Sequence, residues 1–491
     1  MNLADVADTY RACLPPGDLG ELRVDSLDRT GVPVVAADWS GPGQPAFSSF
    51  GYGTTAGQAT VGALGELTES VQLTAGLTDR HRSGHRRQAS YAELCRELGT
   101  DRVADPLTLT LPAGSPYDPG RVVQWLAATR WRTGEQVLVP AEFVACRPAD
   151  LPGAAAPGGW LTTPVTNGLG AGDTVERALS HALLELVQRD GNTVSLRALE
   201  QGTLIDCSTL RDPAVRAVLD GLAAVGLDPE VRLASTEFAV VVHVTARDTD
   251  AGAPPLAVTG CGEGAHPDRE VAVGKAALEY AASRVRKVFA HGSLDAVRRL
   301  DAAYARRELT RPLQTQEQRS LDAMTAWSRM SAPELTNLLT PTVLARHRTV
   351  ALDELPTVPI GSVDDQRALL ALLLARLADF DVLVVPVTAT APDGRTVTVV
   401  KAIVPGLEVE TLSYLRIGER VLRRLLDRGS PLVGLGPAGG TQLPIRLTGE
   451  ATARVGGPAW LDAAAVEAVV GPLYPLYREP TRHTVPRLAS A

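Results

Sequence analysis

Three times this chain runs from a glycine-containing stretch into a long amphipathic helix, and each helix carries polar, largely acidic residues on one face. This repetition constrains the fold most, because three such helices must bury their apolar stripes in a shared interior. On a wheel of about 100° per residue, the first helix, AGQATVGALGELTESVQLTAG after SSFGYG and Thr54, puts Leu64, Leu67 and Val71 on one face. Gly62, Glu66 and Glu69 fall opposite, with the two carboxylates at i and i+3. The second follows TNGLGAG and begins DTVERALSHALLELVQRD, where Asp173 and Glu176 read as a capping box. Leu179, Leu183, Leu186 and Val187 form its buried face; Ala178, His181, Glu185, Gln188 and Arg189 form the other. The third follows TGCGEGAHP, with Pro267 suited to the first turn and Gly292 to the far end. Ala272, Lys275, Glu279, Ala282 and Arg286 share its polar face, whereas Arg284 lies roughly 140° from Glu279.

Carboxylates offered by several helices can hold Mg²⁺, a cation that takes oxygen ligands and bridges nucleotide phosphates. Glycine-rich loops entering helix N-termini offer free N–H groups to phosphate, and nearby Lys and Arg would neutralise the remaining charge. Taken one at a time, each helix is more simply described as a solvated face with ordinary acidic neighbours. No Walker A sequence is present, and G-x-G-x-x-G does not occur in a strand–helix setting.

The remaining segments alternate between strand and helix patterns, giving an α/β chain of the mixed α+β kind. Strand patterns lie at 31–39, from Val137, from Val231, from Pro254, from Asp381 and at 396–404, with Asp393-Gly394 as a hairpin turn between the last two. Helical periodicity is strongest at 56–74, 174–190, 268–290, 364–379 and 409–428. A charge-rich stretch reads as a helical insertion or subdomain over 296–375, dividing a core into 27–295 and 376–471. Residues 1–26 form an N-terminal segment, and the Pro-rich tail 472–491 is expected to be irregular.

Five scattered cysteines without a C-x-x-C pair fit reduced thiols. The net charge of −8 argues against nucleic acid as a partner. No apolar run approaches ~18 residues, and the first residues lack a signal-peptide core. The expected compartment is therefore the cytoplasm, with no membrane partner. His81 and His85 lie in a basic run, DRHRSGHRRQ, read as a solvated loop or a contact for an acidic peptide. His181 suits a hydrogen bond to Glu185 or a catalytic role; His266 reads as a helix-entry residue, and Cys261 has no evident His–Asp support as a nucleophile.

In order along the chain, LDRTGVPVVAADW, FGYGTTAGQATVGALGELTES, VLVPAEFV, TNGLGAGDTVERALSHALLELVQRD, GEGAHPDREVAVGKAALEYAASR and VVKAIVPGLE resemble successive blocks of the YcaO family. The resemblance implies a YcaO-like fold whose motif helices line a nucleotide cleft for ATP and Mg²⁺. It implies Glu66, Glu69, Glu185 and Glu279 as metal ligands, with Gln188, Arg189, Lys275 and Arg284 completing the nucleotide site. No catalytic residue is assigned. The activity it implies is O-phosphorylation of a peptide backbone amide for cyclodehydration to an azoline, or for thioamide or amidine formation, in ribosomal peptide natural-product maturation. The implied partners are a ribosomally made precursor peptide and a leader-binding protein, and a homodimer is common among relatives.

The chain departs from the family pattern at the same site. Tyr52 stands in Gly51-Tyr52-Gly53 where a Gly-Lys-Gly loop is usual. Gly62 and Ser70 replace a Ser and an Arg, Gln188 replaces a Glu, and Ala282 stands where a Gln is common. Two cations and one carboxylate are thereby lost. An active enzyme and a degenerate peptide-binding or partner scaffold are both compatible with this pattern.

Overall fold

The structure, a computed structural model, describes residues 2–42, 46–151, 159–250, 252–359, 365–409 and 412–489. Each acidic helix forms the same unit with the strand before it. Strand Phe47–Tyr52 leads into helix Ala56–Arg82, Leu169–Gly172 into Val175–Asn192, and Gly262–His266 into Arg269–His291. The glycine-rich stretches expected as phosphate loops are thus largely strands, and packing explains their composition. A Cβ at Gly51 would overlap the backbone of Ala59 and Ala63, and one at Gly262 that of Ala276 and Tyr280. Only a residue without a side chain allows strand and helix to approach so closely.

Thr55, Thr174 and Asp268 cap the three helices by accepting from the N–H groups of Gln58, Arg177 and Glu270. The second cap is therefore Thr174 rather than Asp173, which pairs instead with Arg177 at 3.1 Å. The apolar faces are buried as the wheel requires: Leu64, Leu67, Val71, Leu179, Leu183, Leu186 and Val187 are at most 1% exposed.

The three strands are edge strands of three different sheets. Phe47–Tyr52 closes a three-stranded antiparallel sheet with 18–23 and 34–40. Leu169–Gly172 ends a six-stranded sheet that contains the 383–390/396–403 hairpin, whose turn places Gly394 at φ +86°. Gly262–His266 ends a five-stranded sheet with 240–248, 227–235, 203–206 and 348–351. A small fourth sheet joins 433–435, 459–462 and 442–444.

Several expected boundaries shift for physical reasons. The pattern from Pro254 makes a 3-10 turn, Pro255–Thr259, before its strand, as the consecutive prolines remove ladder donors. The helix expected over 409–428 contracts to Glu419–Asp427. Its start is fixed by Glu408, whose carboxylate accepts from Gly418 N–H at 2.6 Å and Val421 N–H at 2.9 Å; residues 410–411 lie outside the described residues.

The 296–375 stretch holds short helices, yet it also supplies strand Arg348–Ala351, parallel to 203–206. Its last helix packs Leu369, Leu370 and Leu373 into the apolar cluster of the 175–192 helix. The Pro-rich tail is not irregular throughout: it forms a 3-10 turn ending at Leu476 and a helix, Thr484–Ala489. Leu473, Tyr474 and Val485 anchor it in a core shared with Trp327. Among the described residues no helix is long and apolar enough to cross a membrane.

Candidate functional site

The three helices turn their polar faces to one cleft of about 960 Å³. Glu66 and Glu69 line it from the first helix, Glu185, Gln188 and Arg189 from the second, and Lys275 and Glu279 from the third. Glu66 accepts from the Phe50 N–H at 3.1 Å, and Glu185 from the Gly168 N–H at 2.9 Å. His181 lies 3.9 Å from Glu69 and not in a hydrogen bond to Glu185.

Arg284, expected at the nucleotide, is not brought into the cleft. Its guanidinium donates to Asp28 at 2.6 Å and Asp248 at 2.8 Å, and all three side chains are buried. The wheel offset from Glu279 explains this: Arg284 points from the same helix towards a different neighbour.

The cleft carboxylates divide sharply in protonation. Burial pushes Glu69 well above the usual carboxylate range, and the charges of Glu185 and Glu66 push it further. Burial and the charge of Glu263 raise Glu279 to about 7. Burial alone would raise Glu263 too, but Arg189 and Arg197 hold it down at about 2. Those arginines donate to it at 2.7 Å and 2.9 Å, and Asn192 Nδ2 does so at 2.7 Å. The Tyr52 hydroxyl donates to Glu279 at 3.2 Å, and Gln188 reaches Glu263 at 3.4 Å. Tyr52 and Gln188 therefore fill the site of the lost lysine and glutamate with neutral hydrogen-bonding groups. Burial lowers the Lys275 ammonium, partly offset by Glu279. Cys261 has its thiol raised by burial, the opposite of an activated nucleophile. His266 Nδ1 accepts from the Asp268 N–H at 3.0 Å, which is a helix-entry contact.

The donor set suits a hard divalent cation: carboxylate oxygens come from three helices, and Glu66, Glu69 and Glu279, destabilised as anions by burial, gain from a cation's charge. Among the described residues no three His, Cys, Asp or Glu side chains already stand as a ready-made metal cluster. Side-chain movement would have to complete one.

Several cleft residues fall outside the helical spacing that drew attention to the others. Glu263 sits between Gly262 and Gly264, whose side faces the helix; period-two alternation in a strand would have aimed it the other way. Arg197 holds a left-handed φ of +60°, which no spacing rule reveals. From the tail, Glu479 accepts from Arg286 at 3.1 Å and Lys287 at 2.9 Å and contacts His291 at 3.1 Å. Arg286 was readable on the third helix's polar face; Glu479 was not.

Comparison with known proteins gives a consistent family. The model of a family described as "YcaO cyclodehydratase, ATP- and Mg²⁺-binding" matches residues 50–408. A protein of Methanothermobacter thermautotrophicus, described as uncharacterized, is 28% identical over 403 residues, 81% of this chain and 91% of that one. The solved YcaO of Methanopyrus kandleri, bound with AMPPCP and Mg²⁺, is 22% identical with a TM-score of 0.54, over 85% of this chain and 93% of that one. A heterocyclase solved in complex with substrate and cofactor is 18% identical with a TM-score of 0.59, over 87% of this chain and 55% of that one. At these identities the structures establish a common fold.

Proposed function

The chain belongs to the YcaO family, and on that premise we propose that it carries out ATP- and Mg²⁺-dependent activation of a peptide backbone amide. In this reaction the terminal phosphoryl group of ATP passes to the amide oxygen, releasing ADP. A nucleophile then adds to the activated carbon and phosphate leaves. A Cys, Ser or Thr side chain gives an azoline, sulfide a thioamide and an amine an amidine.

The observation that carries this reading is the gathering of Glu66, Glu69, Glu185 and Glu279, from three helices, in one cleft with Lys275 and Arg189. These four glutamates would hold Mg²⁺, which supplies neutralisation of the nucleotide's phosphate charge. Arg189 is oriented by its bond to Glu263, so its guanidinium is positioned before a ligand arrives. Glu279 exchanges its proton near neutrality and is held by the Tyr52 hydroxyl. The substrate in this reading is a ribosomally made precursor peptide presented with a leader-binding partner, in the cytoplasm.

Two features favour a second reading, a scaffold without nucleotide turnover: Tyr52 occupies Glu279 with a neutral donor, and Gln188 offers a carbonyl without charge. Calorimetric titration with a non-hydrolysable ATP analogue and Mg²⁺ separates the two. Micromolar, Mg²⁺-dependent binding that is lost in Glu66→Ala supports the enzyme. A folded protein that binds nothing at millimolar analogue, alone or with its partner, is a scaffold.

A further inference from the structure

We propose that Arg147 is a phosphate-binding residue of the cleft, supplying from a neighbouring turn the positive charge that Ser70 leaves missing on the first acidic helix; this rests on the nucleotide reading above.

The arginines of the cleft differ in how their charge is met. Arg189 and Arg197 share Glu263, Arg286 is paired with Glu479 at 3.1 Å, and Arg311 with Glu308 at 2.9 Å. Among the described residues Arg482 and Arg487 lack a carboxylate partner but donate to backbone carbonyls, those of Ala37 and Ser49 and of Arg311, whereas the closest carboxylate oxygen to Arg147, on Asp150, is 3.9 Å away. Asp150 is already engaged, accepting from Thr74 Oγ1 at 2.7 Å and from the N–H groups of Cys146 and Arg147 at 2.9 Å and 3.1 Å. No side-chain hydrogen bond of the Arg147 guanidinium occurs among the described residues. Burial lowers its pKa, as expected for a cation whose desolvation is only weakly offset by a distant partner.

Position connects this cation to Ser70. The Thr74–Asp150 bond fastens the turn Pro148–Asp150 to the first acidic helix one turn beyond Ser70. Residues four apart on a helix are surface neighbours, so the turn that follows Arg147 is fixed to the side of the helix that carries Ser70, and Arg147 and Ser70 both line the cleft. The Phe47 ring lies 3.9 Å from the guanidinium carbon. Stacking of this kind holds the guanidinium by its face and leaves its N–H edges free for an in-plane ligand. An arginine so fixed presents the bidentate fork that phosphate oxygens fit.

The test is calorimetry on the full chain with a non-hydrolysable ATP analogue plus Mg²⁺, and with adenosine, for wild type, Arg147→Ala, Arg147→Lys and the double variant Ser70→Arg/Arg147→Ala. Thermal melts confirm that each variant is folded. Loss of one charge-assisted contact should weaken analogue binding by about tenfold or more in Arg147→Ala, while adenosine binding is unchanged. Lysine should restore part of the loss, and an arginine returned to position 70 should do the same from the helix side. Analogue binding within twofold of wild type in Arg147→Ala overturns the proposal, as does an equal loss for adenosine. Failure of the wild type itself to bind the analogue is a separate result, which removes the nucleotide reading and this inference with it.

Discussion

Glu279 and Glu479 line the same cleft and meet opposite fates. Glu279 and its neighbours Glu66 and Glu69 are raised by burial; nearby acids add to the cost at Glu69, and the arginines near Glu279 and Glu66 offset it only in part. Glu479, from the C-terminal segment, would also be raised by burial, but Arg286, Lys287 and His291 hold it well below the usual range. One wall therefore keeps an electrostatic cost that a bound proton or an incoming cation relieves. The other has already satisfied its charges internally and uses them to seat the tail. Burial is common to both; the supply of partners decides whether a buried acid stabilises the fold or waits for a ligand.

Removing the tail's acid should break this contrast most. Glu479→Ala leaves Arg286 and Lys287 without their shared anion, and unfolding should show a loss of roughly 3 kcal/mol. An unchanged denaturation midpoint would show that the tail is held by its apolar anchors alone. On the opposite wall the same kind of change should cost the fold nothing. Glu69→Gln relieves repulsion, so ligand-free stability stays level or rises, while Mg²⁺-dependent affinity for an ATP analogue drops about tenfold or more. A variant that is destabilised yet binds normally would reverse the roles assigned to the two walls.

Protonation sharpens the comparison further. Glu279 is raised to about 7, so the folded state holds its proton longer than the unfolded chain does. The stability it contributes is present at low pH and is lost as pH rises from the ordinary glutamate range towards about 7. Glu263, held at about 2, has the opposite sign: its contribution is lost as pH falls from the ordinary glutamate range towards about 2. A divalent cation at Glu279 must displace the proton. Titrations in buffers of different ionisation enthalpy should therefore show proton release on Mg²⁺ binding near pH 7 and tighter binding as pH rises through that value. Binding with no proton release would exclude Glu279 as a ligand.

The smallest effect is expected at Tyr52. Tyr52→Lys replaces a neutral donor with a cation at a position 3.2 Å from Glu279 in the parent structure. Analogue binding should tighten a few-fold, with the Glu279 carboxyl, followed by isotope-edited NMR, titrating lower. Weaker binding would mean that the tyrosine hydroxyl is itself part of the nucleotide site.

The helical half of this site was legible because a period of about 3.6 residues separates faces without knowledge of the fold. Leu64, Leu67 and Val71 are buried, and Glu66, Glu69, Glu185 and Glu279 share one cleft, as the wheel requires. Even the departure of Arg284 was written in its angle. The strands were harder, because a stretch such as Leu169-Gly170-Ala171-Gly172 has no side-chain alternation to read; its glycines answer to a helix backbone that only the fold brings near. Arg147, Arg197 and Glu479 were illegible for a related reason: each reaches the cleft from a turn or an unusual φ, where spacing carries no direction.

The three strand–helix units also set when the cleft can exist. Their acids stand at positions 66, 185 and 279, so no single unit holds the full set, and the closing contact to Glu479 comes two hundred residues after Glu279. Contacts this distant along the chain form late in folding, after local helices are in place. During synthesis, an emerging chain carries the first acidic helix long before the third has left the ribosome. A nascent protein of this kind can therefore display carboxylates without gathering them, and its cleft is complete only once the segment carrying Glu479 has been made.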